Sequence, residues 1–269
     1  MSSFAPLLVA RALTLAALLP SGDGLAVAAT GARRELTTDR PDSTESPFTI
    51  EPGHVQAEMD FANYTRDRSG GTTATQWEAA PLNLRVGVAA DLEVGIFVTP
   101  FQRQDERTAA GPWTRSHGFG DLVWRTKLNL FGNDGGGPAL GAIADVKLPT
   151  ASGGLGNGKF EAEFIVPVAF ALPGGWSAGA MTGVALVHDG TSYQAVWGNT
   201  FTCGRELATD LAGFLEVTSS AGSGPHVASF NAGLTRRFGR DLQFDVGVNL
   251  GLSRQAPDSL IFAGLARRF

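Results

Sequence analysis

The feature that most constrains the fold is the run of residues 242–252, in which apolar side chains occupy every second position. The positions between them carry polar residues or glycine. A β-strand has a period of two, so this run predicts a strand with one apolar and one polar face. In a soluble sandwich the apolar face would meet a core. In an outer-membrane barrel it would meet lipid, and the polar face would meet the lumen.

The first 29 residues are typical of a secretory signal peptide. Arg11 precedes an apolar run at residues 12–19, and small residues at 26–29 offer a cleavage site. The apolar run is too short to span a bilayer as a helix. We therefore predict a signal peptide at 1–29, a Pro-rich periplasmic segment at 30–53 and a barrel at 54–269.

Composition and charge agree with a barrel and exclude some partners. The 35 glycines and the charged fraction of 17% suit a barrel, whose turns and crowded lumen positions accept glycine. The net charge of −5, with no basic block, argues against a nucleic-acid partner. Cys203 is the single cysteine, so no internal disulfide is expected.

Alternation recurs along the chain and predicts an all-β fold, a single transmembrane antiparallel β-barrel of twelve strands with both termini periplasmic. Tight turns alternate with longer polar links at 66–76, 102–120 and 149–159. The predicted strands lie near residues 55–64, 77–88, 92–101, 121–130, 140–148, 160–172, 176–187, 193–203, 207–217, 227–238, 242–252 and 260–269.

The register of several hairpins can be predicted, because the numbers of directly opposed residues sum to a constant and opposed residues share a face. The last strand is expected to pair with the first and so to close the barrel. Two of these hairpins, that of Arg85 with Glu93 and that of Arg125 with Asp145, are predicted to place opposite charges face to face on the polar side. The predicted opposed pairs are Leu234 with Val246, Thr235 with Asp245, Val86 with Leu92, Arg85 with Glu93, Leu130 with Leu140, and Arg125 with Asp145.

Thirteen charged side chains fall on the polar faces of the predicted strands. A soluble sandwich could expose them to water, but outward aromatic residues near strand ends suit membrane interfaces. In the lumen these charges could select solutes, or they could link neighbouring strands. The predicted lumen-lining residues are Glu58, Asp60, Arg85, Glu93, Asp121, Arg125, Lys127, Asp145, Lys147, Glu161, Glu163, Glu216 and Asp245.

The segment before the first predicted strand has no alternation and three prolines between residues 35 and 52. Proline does not fit a strand interior, so this segment is predicted to be irregular. It could plug the lumen by pairing with lumen charges, or it could lie along the periplasmic rim as a tether. The candidate gate residues are Asp39, Arg40, Asp42 and Glu45.

Several blocks resemble the outer-membrane transporter family named for the MetA pathway of phenol degradation. The blocks are Thr38-Asp39-Arg40-Pro41-Asp42, Thr44-Glu45-Ser46-Pro47, Gly118-Phe119-Gly120-Asp121-Leu122 and Val146-Lys147-Leu148-Pro149-Thr150. The resemblance implies a barrel that passes small hydrophobic or aromatic compounds across the outer membrane.

The function predicted from these features is passive passage of small solutes through the outer membrane of a Gram-negative bacterium. Two alternatives are a structural or adhesive barrel acting through residues 102–120, and a lipid-modifying outer-membrane enzyme. His188 and Asp189 resemble catalytic parts, but neighbours on a strand point to opposite faces. No catalytic, cofactor-binding or metal-binding residue is predicted, and no enzymatic activity.

The predicted partners are outer-membrane lipid, small-molecule solutes and the barrel assembly machinery. The assembly machinery would recognise Phe269, an aromatic residue that ends the last strand. Leu265, Ala263 and Ile261 continue the alternation before it, and Arg267 interrupts it.

Overall fold

The structure is a computed structural model that describes residues 34–135, 137–222 and 224–269. The predicted signal peptide at 1–29 lies outside these residues. In the described ranges no helix is long and apolar enough to cross a membrane.

The described residues form fifteen β-strands in one antiparallel sheet. The last strand pairs with the first, which closes the sheet into a barrel. The strands are β1 (Val55–Ser69), β2 (Thr72–Ala79), β3 (Leu82–Ala89), β4 (Leu92–Val98), β5 (Phe101–Thr108), β6 (Thr114–Gly118), β7 (Leu122–Phe131), β8 (Ala139–Leu148), β9 (Glu161–Leu172), β10 (Trp176–His188), β11 (Tyr193–Ala208), β12 (Leu211–Gly222), β13 (Val227–Arg237), β14 (Leu242–Gly251) and β15 (Ser259–Arg268).

Three of the barrel strands are interrupted, so the fifteen segments make a closed barrel of twelve strands, as predicted. β1 pairs with β3 over one half of its length and with β2 over the other half. β2 and β3 are thus two parts of one interrupted strand. β4 and β5 form the second interrupted strand and β6 and β7 the third, with their breaks at the same height in the barrel. Two of the three breaks contain a proline, Pro81 and Pro100, whose missing N–H cannot join the sheet ladder.

Two of the predicted long links are wrong, because strands run through them. β1 and β2 are joined by the two-residue turn Gly70-Gly71, whose φ angles are +58° and +78°. Residues 102–120 hold β5 and β6, which pair with each other. Both faces of this extension are polar, so it shows no apolar alternation that could reveal its strands.

The predicted register holds for the β13–β14 hairpin, where Leu234 lies opposite Val246 and Thr235 opposite Asp245. The closing pair of β15 with β1 is also present. No bulge lies between the β13–β14 turn and these pairs, so the predicted register is kept.

Bulges near two turns explain the register errors. Arg125 lies opposite Asp145 as predicted, but a bulge between Asn129 and Phe131 makes Phe131 the partner of Leu140 in place of Leu130. The prediction for β3 and β4 is wrong: Val86 lies opposite Val94, and Arg85 lies opposite Gly95. A bulge between Gly87 and Ala89 shifts this hairpin. The side chains of Arg85 and Glu93 still form an ion pair, at 2.8 Å.

The wall is apolar outside and charged inside, the reverse of a soluble sandwich. Large outward side chains such as Trp197 and Phe201 are more than half exposed, at 56% and 58%. Arg85 and Lys127 are completely buried, each with 0% exposure. Soluble domains rarely bury such residues while exposing many large apolar ones. A membrane barrel requires this arrangement, because lipid surrounds it and closure satisfies its backbone.

Candidate functional site: the lumen and its inner segment

The residues that precede β1, numbered 34–53 and called the inner segment below, lie inside the barrel. Their side chains and backbone bond to β1, β4, β7, β11, β12, β14 and β15 around the wall. A segment lying along one rim could not reach so many strands. The lumen therefore contains part of the chain itself.

Asp39 is the most enclosed charged residue of the inner segment, with 0% exposure. Its carboxylate accepts a hydrogen bond from Lys127 at 2.5 Å and lies 3.5 Å from Arg85 and 3.6 Å from Arg125. Its backbone N–H donates to Glu58 at 3.1 Å. Three wall cations therefore surround one carboxylate, which fixes this part of the segment against β3 and β7.

Arg40 points the opposite way and bonds to two wall carboxylates. Its guanidinium donates to Asp245 at 2.5 and 3.1 Å and pairs with Asp60. It also lies over the ring of Phe262, 5.9 Å from the centroid. Gly264 leaves the space for this guanidinium, because a Cβ there would collide with it. Arg40 thus links the inner segment to β1, β14 and β15.

Glu216 holds the next part of the segment through hydrogen bonds. Its carboxylate accepts from the backbone N–H of Ser43 at 2.9 Å, and from the N–H and hydroxyl of Thr44 at 2.7 and 2.5 Å. Asn231 of β13 donates to it at 2.6 Å. Thr44 also shares a hydrogen bond of 2.7 Å with Thr200 of β11. These donors stabilise a buried carboxylate by direct hydrogen bonding.

Arg125 connects Glu45 to the wall. It lies 2.7 Å from Glu45 and donates to Asp145 at 2.6 and 2.8 Å. Its guanidinium lies 4.6 Å from the centroid of Phe97. The predicted Arg125–Asp145 pair therefore also holds the inner segment.

The end of the segment nearest β1 is held mainly through its backbone. Asn129 donates to the carbonyl of Pro47 at 2.9 Å, and the N–H of Ile50 donates to Glu93 at 2.9 Å. Glu51 accepts from Arg268 of β15 at 3.0 Å. Carbonyl and N–H groups of an irregular segment need such partners when they are buried.

Inward-facing glycines leave room for the segment. A Cβ at Gly141 of β8 would lie 3.0 Å from the Cα of Pro47, and one at Gly179 of β10 would lie 3.4 Å from the methyl group of Thr44. The wall is therefore shaped to the segment as well as bonded to it.

The structure brings most of the predicted charges to the inner segment. Eleven of the thirteen predicted lumen residues are buried, and Asp121 and Glu163 are half-buried. Lys147 forms a separate cluster with Glu161 at 2.9 Å and Asp121 at 3.3 Å. Those that bond to the segment or its partners are Glu58, Asp60, Arg85, Glu93, Arg125, Lys127, Asp145, Glu216 and Asp245.

Among the candidate gate residues, Asp39, Arg40 and Glu45 are buried, and Asp42 is half-buried beside a small cavity. Sequence reasoning missed Thr44, Glu51 and Arg268 as partners in this network. Arg268 could have been found, since it alternates with the outward Arg267 on β15. Glu51 lies outside any strand, so no periodicity points to its orientation.

No group of three or more His, Cys, Asp or Glu side chains among the described residues could hold a metal ion. The charged groups of the lumen are arranged as ion pairs and hydrogen bonds with the chain itself. The site is therefore a polar passage with part of the chain inside it.

Closed sheet, apolar exterior and polar lumen define the protein as an outer-membrane β-barrel, whose place is the outer membrane of a Gram-negative bacterium. The chain belongs to the family described as "Putative MetA-pathway of phenol degradation", whose model matches residues 38–269. The resemblance noted in the sequence is thus confirmed. A search of the curated proteins found no match.

Solved structures share the fold at low sequence identity. The COG4313 outer membrane channel from Pseudomonas putida F1 has a TM-score of 0.62 and 12% identity, over 87% of this chain and 100% of that one. The β domain of the Bordetella autotransporter BrkA has a TM-score of 0.52 and 14% identity, over 81% and 100%. The NanC porin has a TM-score of 0.50 and 7% identity, over 79% and 98%.

Proposed function

We propose that this barrel is a passive channel for small hydrophobic or aromatic compounds, and that the inner segment gates it. The observation that carries the proposal is the set of polar bonds from the segment to strands all around the wall. A chain that crosses the lumen in this way narrows it at its own level. Movement of the segment then opens the passage.

The space beside the segment supports a closed state. A cavity lined by Arg40, Pro41, Asp42, Asn63 and Phe262, among others, has a volume of about 40 Å³. Such a volume holds a few water molecules and no aromatic ring. A solute that takes this route must therefore displace the segment.

The chemistry of the contacts supports a movable gate. The segment is held by hydrogen bonds and ion pairs, such as those of Asp39, Arg40 and Glu216. Water can replace these bonds when the segment moves, whereas an apolar plug would expose surface that water solvates poorly. The same charges would line the opened lumen, in addition to linking neighbouring strands.

Two lumen aromatics support the proposed solute class. Phe262 lies beneath Arg40 and Phe97 beneath Arg125, and both rings are mostly buried. When Arg40 leaves with the segment, the face of Phe262 becomes available to an aromatic solute. The family's description, which concerns phenol degradation, agrees with this class.

The wall charges predict the ion selectivity of the opened channel. The thirteen predicted lumen residues comprise nine acids and four bases. A passage with this excess of carboxylates favours cations and neutral molecules over anions. Neutral aromatic compounds would meet no electrostatic barrier.

The lengths of the connections support one orientation of the barrel in the membrane. The rim that carries Phe269 has short turns, such as residues 90–91 and 173–175. The other rim has the longest link between described strands, 149–160, and the β5–β6 extension. Because outer-membrane barrels place their short turns in the periplasm, these lengths support a periplasmic position for both chain termini. Recognition of Phe269 by the assembly machinery fits this orientation.

Deletion of residues 35–52 tests the gate. The truncated barrel should show a higher single-channel conductance in planar bilayers, and should admit small aromatics faster in liposome swelling. A matched variant with a Gly/Ser sequence of equal length at 38–47 keeps the chain length but removes the specific bonds, so it should behave like the deletion. Conductance and swelling unchanged in both variants, with folded barrels, would refute the gate.

The β5–β6 extension favours a second function, adhesion. Among the described strands β6 pairs only with β5, and residues 152–153 pack against its end at His117 and Gly118. Trp113, beside this strand, is 49% exposed and lies 5.1 Å from the guanidinium of Arg107. Shortening residues 102–118 should abolish surface attachment if the barrel is adhesive, and should leave solute flux unchanged.

An enzymatic role is not proposed. His188 ends β10, and its Nδ1 accepts a hydrogen bond from Gly190. The carboxylate of Asp189 accepts from the N–H groups of Ser192 and Thr191, and these bonds lower its pKa. Both side chains therefore close a turn. A lipid-turnover assay that showed activity lost on His188→Ala would overturn this assignment.

A further inference from the structure

The outward face of the wall from β10 to β15 carries an unusual set of charges at one rim. Alternation and pairing place Arg205, Arg236 and Arg267 on this face, with Arg205 and Arg236 close to the turns that follow their strands and Arg267 at the end of β15. All three are exposed. The outward positions of these six strands contain no Asp, Glu or Lys.

Each of these arginines lies over an aromatic ring. Arg205 is 4.8 Å from the centroid of Trp176, Arg236 is 6.0 Å from Phe238, and Arg267 is 5.1 Å from Phe269. Within the described residues none of the three forms an ion pair. Aromatic rings favour the membrane interface, so the guanidinium groups are held at the level of lipid headgroups.

A groove in the lipid-facing wall begins beside Arg205. It has a volume of about 770 Å³, within the range of roughly 300–1,000 Å³ typical of small-molecule sites. The groove is deep because the outward positions beneath it carry small residues, Gly213 on β12 and Ala232 on β13. Leu207 and Leu234 flank Gly213, and each would lie 3.2 Å from a Cβ added there.

The groove and the arginines are adjacent. Arg205 lies opposite Gly213, which lies opposite Leu234, and all three border the groove. Arg236 is one outward position closer to the rim than Leu234 on the same strand. The backbones of β11 and β13 are two strand spacings apart, or about 10 Å. A long apolar ligand with an anionic end would fill the groove with its apolar part and pair with the arginines at its anionic end.

We propose that this groove binds a glycerophospholipid with an anionic headgroup. The acyl chains lie along Gly213 and Ala232, and the phosphate accepts hydrogen bonds from Arg205 and Arg236. Charge complementarity selects this occupant, because the outward positions of these six strands offer three arginines and no acid. A second copy of the chain docking by two-fold symmetry would bring these arginines towards each other, which is unfavourable.

Native mass spectrometry of the full-length barrel in detergent tests the site, with phosphatidylglycerol and phosphatidylcholine of identical acyl chains as probes. The wild-type barrel should keep one phosphatidylglycerol under activation that strips phosphatidylcholine. Arg205→Gln and Arg236→Gln should each lower phosphatidylglycerol occupancy about fivefold, and the double variant about 25-fold. Ala232→Leu fills the groove and should lower the binding of both lipids.

Two matched variants serve as controls. Arg107→Gln removes an arginine that also lies over a tryptophan, but in the β5–β6 extension. Ala180→Leu enlarges an outward residue of β10 that does not line the groove. Both should retain wild-type binding, and heat-modifiable migration should show that every variant is folded.

Several results would overturn the proposal. Equal retention of the two lipids, or unchanged binding in the arginine variants, would show that the wall takes lipid without selecting the headgroup. Displacement of phosphatidylglycerol by millimolar inorganic phosphate alone would indicate a simple anion site. Preference for lipid A would assign the groove to another lipid, and a dimer that buries Arg205 would assign it to a second copy.

Discussion

Asp39→Asn should release the inner segment from the lumen. Asp39 is fully buried and lies within 3.6 Å of Lys127, Arg85 and Arg125. Asparagine has nearly the same shape, so the substitution removes the charge without creating a cavity. Its amide group would also bring N–H donors towards three cations that need acceptors.

The size of the effect follows from burial. Removing one member of a buried ion pair costs about 3–5 kcal/mol, because the remaining charge is left without compensation. When the segment leaves the lumen, water can solvate the wall cations, so the cost falls mainly on the docked state. A loss of about 3 kcal/mol lowers the docking equilibrium constant by at least about a hundredfold.

Single-channel recording in planar bilayers is the primary assay. Asp39→Asn should show a larger fraction of time at the conductance of the barrel lacking residues 35–52. Cysteine labelling supplies a second readout: in a Cys203→Ser background, Ser46→Cys should react faster with a hydrophilic maleimide when Asp39 is replaced.

Asp105→Asn is the matched control. Asp105 also accepts hydrogen bonds from two arginines, Arg103 at 2.9 Å and Arg115 at 2.6 Å, but it lies in the outer extension. Ion pairs with exposed partners contribute about 0–1 kcal/mol, so this variant should conduct like wild type. If Asp39→Asn also matched the wild type in both conductance and labelling, the bonds of Asp39 would not hold the segment.

Two further predictions concern the wall. Gly141→Val places a side chain against Pro47 and should raise the open fraction in bilayer recordings, whereas Gly198→Val, which meets open space, should not; equal behaviour of the two would contradict the fit of segment to wall. Arg125→Ala removes the ion pairs with Asp145 and Glu45, so it should lower the midpoint of heat-modifiable unfolding by roughly 6–20 °C and should also raise solute uptake, because the inner segment loses a wall contact. A lower uptake with an unchanged midpoint would make Arg125 a selectivity residue.

Strand alternation was sufficient to predict the barrel, its closure and the inward position of residues such as Arg125 and Asp245. This succeeds because lipid and lumen impose opposite polarity on the two faces of each strand. It fails in the β5–β6 extension, where both faces are polar. It also fails at bulges such as the one between Gly87 and Ala89, where a single extra residue shifts the register.

The inner segment is less predictable for a different reason. Irregular chain has no period, so sequence could name Asp39, Arg40 and Glu45 as candidates without naming their partners. Those partners are set by contacts across the lumen, such as the 205 residues that separate Arg40 from Asp245. A contact made by the backbone, such as that of the Ile50 N–H with Glu93, cannot be predicted from the residue type that donates it.

The direct covalent join between the inner segment and β1 has a kinetic and thermodynamic consequence. A ligand tethered so closely to its own site acts at an effective concentration in the millimolar range or above. A solute entering the lumen must compete with it, while a free peptide of the same sequence would need a similar, millimolar concentration to fill an emptied barrel to the same extent. Re-closure is therefore unimolecular, independent of protein concentration, and the threshold for opening is set by how strongly a solute binds the wall.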